Sequence, residues 1–148
     1  MKNTLIILFS LTINLLWGQS REEINLLLND ISKVSNSKDI RDLEQTKKIC
    51  DYGKDAIPVL ELFFKDSTKT NVYSDYKKAN LRKGEIAILI VNNIDKISFM
   101  VFGVRPACGY PSSVLDKLNI ESFLPSSEES IQGFINNYIL WKKMMTAK

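Results

Sequence analysis

The sequence predicts an all-α fold, a compact helical bundle with one irregular Pro/Gly-rich loop, and three observations carry that reading. Apolar residues recur at helical spacing in several separate windows. Capping residues stand where those windows begin. Glycine and proline crowd together only between Gly103 and Pro111. No charge block or low-complexity linker divides the chain, so residues 21–148 are expected to form a single domain.

Residues 1–20 have the order of parts of a secretory signal peptide. Lys2 supplies a charge, Leu5 to Trp17 is mostly apolar, and Gly18 and Ser20 are small residues before a cut at Arg21. The apolar run is shorter than the ~20 residues that span a bilayer as a helix. The expectation is an exported chain, periplasmic or extracellular, with no stable membrane span after cleavage. A retained signal anchor is the alternative.

Along the remaining chain, Arg21 to Val34 reads as a helix, because Ile24, Leu27, Leu28 and Ile31 form one apolar stripe. Ser35-Asn36-Ser37 breaks it and can cap the next helix. That second helix is expected from Asp39 to Tyr52, with Ile40, Leu43, Ile49 and Cys50 inward and Gly53 at the left-handed position past its end. Asp55 as N-cap and Pro58 in the first turn announce a third helix, whose buried side is Ile57, Leu60, Phe63 and Phe64. Ser67 to Lys83 is polar and reads as a long loop, or as a loop running into an early helix start.

Leu81 to Asp95 is the most apolar stretch after the leader. It is apolar on every side and rich in β-branched residues, so a central strand and a sheathed helix both fit the periodicity. Ile97, Phe99, Val101 and Phe102 suggest a short extended piece. A short helix is expected from Ser113 to Asn119, with Asp116 three residues after Ser113. Ser126 and Glu129 make a capping box for a last helix reaching Met145, with Ile131, Phe134, Ile135, Tyr138 and Trp141 inward.

The segment Gly53-Lys54-Asp55-Ala56-Ile57-Pro58-Val59-Leu60-Glu61-Leu62-Phe63-Phe64-Lys65-Asp66 resembles a HEAT-type helical repeat. That family writes a glycine turn, Ala-Ile-Pro, and an apolar helix closed by an acidic turn. Its second helix often opens on an apolar residue and an arginine, as Leu81-Arg82 does here. The resemblance covers residues 53–95 and implies that Leu81–Asp95 is a helix packed between layers. The Tyr73 region is an insertion relative to the repeat, and no second copy is evident. The C-terminal half, with Gly84-Glu85-Ile86-Ala87, the Pro/Gly-rich loop and a terminal aromatic helix, also resembles small exported bacterial proteins of unassigned role.

Chemistry is bounded mainly by what the composition lacks. The chain has no histidine, which removes His-based acid–base work, Ser-His and Cys-His nucleophiles and the commonest transition-metal ligand. Two cysteines without histidine cannot complete a four-ligand zinc site, so neither a metal nor a cofactor is expected. Twenty basic and seventeen acidic residues are interspersed, which argues against nucleic acid as a partner. Cys50 and Cys108 suggest a disulfide in an exported chain, worth about 4 kcal/mol across so long a loop. Two separate thiols remain the alternative.

No residue stands out as catalytic. Glu85 borders the most buried segment and can cap a helix start or pair with Arg82. Arg105 and Tyr110, in the rigid Gly/Pro loop, and Tyr73 and Tyr76, in the polar insertion, are the candidate binding residues. The expected function is an exported binding module for a protein or peptide partner. The alternatives are a histidine-free enzyme using carboxylates, or a carrier of a small apolar ligand.

Overall fold

The structure, a computed structural model, describes residues 21–104 and 119–147. The chain is largely helical, with one two-stranded antiparallel sheet. The helices are α1 (21–31), α2 (Glu44–Asp51), α3 (Ile57–Glu61), α4 (Lys83–Ile94) and α5 (Glu128–Thr146). The strands are β1 (Lys69–Ser74) and β2 (Ala79–Arg82). Short 3-10 turns at Ser37–Asp42, Gly53–Ala56, Phe99–Phe102 and Ile120–Phe123 join them.

Helix α1 buries Ile24, Leu28 and Ile31, the stripe its spacing predicts, but ends three residues early. The Ser32 hydroxyl and amide both turn back onto the Leu28 carbonyl. The expected second helix is two pieces. Asn36 caps a 3-10 turn by accepting from the Lys38 amide, and Leu43 then adopts an extended backbone before α2 begins. Gly53 takes φ +58°, as a residue past a helix end requires. Asp55 does not cap α3; it lies inside a 3-10 turn, Ala56 occupies the cap position, and Pro58 falls in the first turn.

Helix α4 resolves the ambiguity of the apolar run. Every side chain from Ile86 to Val91 is buried, with α2 and α3 packed against it. Its first turn is positioned by backbone. The Lys83 and Gly84 amides donate to the carbonyls of Thr68 and Asp66, each at 2.9 Å. A Cβ at position 84 would stand 2.5 Å from the Phe64 carbonyl oxygen and 2.8 Å from that of Phe63. Only glycine lets α4 approach the end of α3 so closely.

Residues 69–82, expected as loop or early helix, are the hairpin, which corrects the all-α expectation. β1 alternates exposed and buried, with Thr70, Val72 and Ser74 inward. Tyr73 pairs with Asn80 and Ser74 with Ala79. The Thr70 hydroxyl donates to the Leu81 carbonyl at 2.7 Å. The other edge of β1 is covered, since the Asn71 and Tyr73 amides donate to the carbonyls of Ser32 and Ser35.

Phe99–Phe102 is a 3-10 turn rather than extended, and its aromatic side chains turn toward α5 and the 120–123 turn. Phe102 lies 5.0 Å from Phe134 and Phe99 5.8 Å from Phe123. Helix α5 seats Phe134 and Tyr138 edge-on against Phe64 at 5.6 and 5.5 Å. Its cap is displaced by one residue from the expected box. Ser127 accepts from the Ser130 amide, and the Ser130 hydroxyl accepts from the Ser127 amide. The expected helix at 113–119 falls almost wholly outside the described residues.

Two glycine substitutions separate the close approach from ordinary helix propensity. Gly84→Ala is expected to destabilise the chain by about 2–3 kcal/mol through overpacking against carbonyl oxygens. Gly133→Ala in α5, where a Cβ meets nothing within 4 Å, is expected to stabilise it by about 0.5–1 kcal/mol. Urea unfolding of the two variants reads both signs.

Candidate functional site

One groove among the described residues has a volume of about 830 Å³. Each wall arises from a local feature of the chain. The Asn36-capped turn projects Lys38 and Arg41. The hairpin turn contributes Tyr76, which is 51% exposed. The last turns of α4 supply Asn92 and Asn93 beside Leu89, and the chain leaving α4 adds Lys96, Ile97 and Phe99. Asn119, Ile120 and Glu121 close the groove from the far side.

The floor is apolar, formed by buried Ile40, Leu89 and Ile97. Several polar walls are held in place. The Asn92 side-chain Oδ1 accepts from the Ile97 amide at 3.0 Å, and the Asn119 side chain caps its turn by accepting from the Glu121 amide at 2.9 Å. Lys38 lies 2.6 Å from Asp75 of the hairpin turn and, with the Asn36 side chain, holds that carboxyl below its ordinary range. Glu121 is buried, and one carboxylate oxygen accepts from both Ser37 Oγ at 2.7 Å and Ser74 Oγ at 2.6 Å. That oxygen ties the 3-10 turn, the hairpin and the 120–123 turn together.

Of the expected binding residues, the structure puts Tyr76 on the groove. Tyr73, 38% exposed on the outer face of β1, does not line it. Arg105 and Tyr110 lie outside the described residues. Cys50 is half-buried in α2, and burial first, with the Asp51 charge second, pushes its thiol up. Its suggested partner Cys108 is outside the described residues.

Glu85 is buried and both its oxygens are engaged. One accepts from the Arg82 amide at 2.6 Å, the reach-back of a helix cap, and the other from the Lys77 ammonium. The pairing with Arg82 is therefore through the backbone, not the guanidinium. Lys77 is not singled out by the sequence. It looks like one of many surface lysines until the hairpin turn folds it against α4.

Lys83 is buried as well. A desolvated lysine can act as a nucleophile or base, but this ammonium donates to the side-chain carbonyls of Asn25 and Asn29 and sits 5.3 Å from the Phe63 ring centre. It does not line the groove and joins α1 to α4. Burial pushes its pKa down, opposed in part by Asp66. The Tyr138 pKa is instead raised, by burial first and by Glu61, which accepts from its hydroxyl at 3.0 Å and from Lys142 at 2.6 Å.

Among the described residues no three carboxylate or thiol side chains gather as metal ligands. The groove offers cations and amides around an apolar floor, which suits an extended ligand carrying negative charge. Comparison with protein-family models, curated proteins and solved structures gives no match.

The Lys83 assignment has a pH signature. Below its depressed native pKa, both states hold the proton and the pH slope from this group is zero. Between that pKa and the ordinary value of 10.5, the unfolded chain binds the proton that the folded chain has released. Stability from this group therefore rises with pH through that window. Urea midpoints measured from pH 7 upward should show this contribution as a difference between wild type and Lys83→Met.

Proposed function

We propose that the chain is an exported, HEAT-like helical binding module that engages an acidic peptide, or an acidic extended segment of a protein, in the groove beside Tyr76. The observation that carries this reading is the convergence of Arg41, Lys96 and Tyr76 on one cleft over the buried Ile40, Leu89 and Ile97. An apolar floor accepts alternate side chains, and the Asn92 and Asn93 amides suit a peptide backbone. The volume lies within the ~300–1,000 Å³ typical of sites for drug-sized ligands. That holds a short extended segment rather than a folded surface.

The packing of α3 on α4 supports the HEAT-like reading, with the hairpin as an insertion between the paired helices. The apolar leader before Arg21 supports export, and in an oxidising compartment Cys50 and Cys108 would pair. Carboxylate catalysis through Glu85 gains no support, because its oxygens are committed to Lys77 and the α4 cap.

Fluorescence anisotropy with labelled extended peptides of matched length and opposite charge tests the proposal. Acidic peptides should bind, basic ones should not, and binding should weaken as salt shortens the Debye length from ~10 Å toward 3 Å. The Arg41→Glu/Lys96→Glu double variant should bind at least about tenfold more weakly, since each 1.4 kcal/mol lost is a factor of ten. Tyr76→Ala should weaken binding without altering the salt dependence. Equal binding of both peptide charges, or no effect of these variants, contradicts the reading.

A further inference from the structure

Among the described residues, nothing covers one face of helix α5. At 3.6 residues per turn, Ile139, Leu140, Lys143 and Met144 share about 140° of arc, opposite Phe134 and Tyr138, which are buried. Ile139 is 46% exposed, Leu140 60% and Met144 70%. The helix dipole accounts for lysines in the last turns. It does not account for three large apolar side chains left exposed on one face at the same end.

The charge around this face is one-sided. From Ile131 to Lys148 the sequence holds three lysines and no aspartate or glutamate. Lys142 turns inward to Glu61, while Lys143 is exposed in the middle of the apolar arc. A second copy placed here by two-fold symmetry would bring two Lys143 side chains into one drying patch. An anionic lipid surface supplies both the opposite charge and an apolar layer.

We propose that the end of α5 docks the protein peripherally on an anionic phospholipid surface. Ile139, Leu140 and Met144 enter the boundary between headgroups and acyl chains, and Lys143 meets the lipid phosphates. The contact lies in the plane of the surface, since no described helix is long and apolar enough to cross a membrane. It is independent of the groove and leaves the groove open.

Flotation of the full chain tests this, with vesicles of phosphatidylcholine alone or mixed with about one third phosphatidylglycerol. Residues 1–20 are common to every variant, so differences between variants report on α5. Wild type should float with the anionic vesicles and lose this in high salt. Leu140→Asn/Met144→Asn should reduce flotation at least tenfold and Lys143→Glu at least threefold, with unchanged circular dichroism. If the double variant loses helix content, the Lys143→Glu comparison decides. Flotation that is equal with neutral vesicles, or unaffected by these substitutions, overturns the proposal. So does dimerisation in sedimentation that the double variant abolishes while vesicles go unbound.

Discussion

The close approach of Gly84 to the carbonyl oxygens of Phe63 and Phe64 is the constraint on which the rest of this structure depends. It sets the depth at which α4 starts and lets the amides of residues 83 and 84 reach the chain leaving α3. From that start the helix runs with every side chain from Ile86 to Val91 buried. Its far end supplies one wall of the groove, and its near end receives the hairpin. Displacing the start would move both.

Buried charges then fix how the other elements sit on α4. Lys83 reaches two asparagines one turn apart on α1, Glu85 takes Lys77 from the hairpin turn, and Glu121 joins three segments through two serine hydroxyls. Desolvating such groups offsets much of what their contacts return, so they contribute little net stability. Their contribution is geometric, because each leaves a costly unpaired charge if its element shifts. The aromatic contacts of Phe64, Phe134 and Tyr138 have no such selectivity but bury far more apolar area.

Helices with one apolar stripe are legible in the sequence. The stripes of α1 and α5 can be read residue by residue, and α4 is reached through a resemblance where periodicity is silent. The hairpin is not legible, for a physical reason. Its inward residues are Thr70, Val72 and Ser74, so only one of the three is apolar and the period-two signal is absent. Its turn contains neither glycine nor proline, and the positive φ that would call for one is taken by Lys78 at 57°. The site is legible only at Tyr76. Glu121 and Ser37 carry no local pattern, because what makes them a unit is a contact between residues 84 positions apart.

One scaffold carries two surfaces: a cationic groove at the far end of α4, and an apolar, lysine-bearing arc on α5. Both presuppose that α4 is the last element to yield. Native-state hydrogen exchange of the amides from Ile86 to Val91 measures this most directly. The account predicts that they exchange only by global unfolding, with an opening free energy equal to that from urea denaturation. Exchange of those amides through a cheaper, local opening, while α5 stays protected, would contradict it.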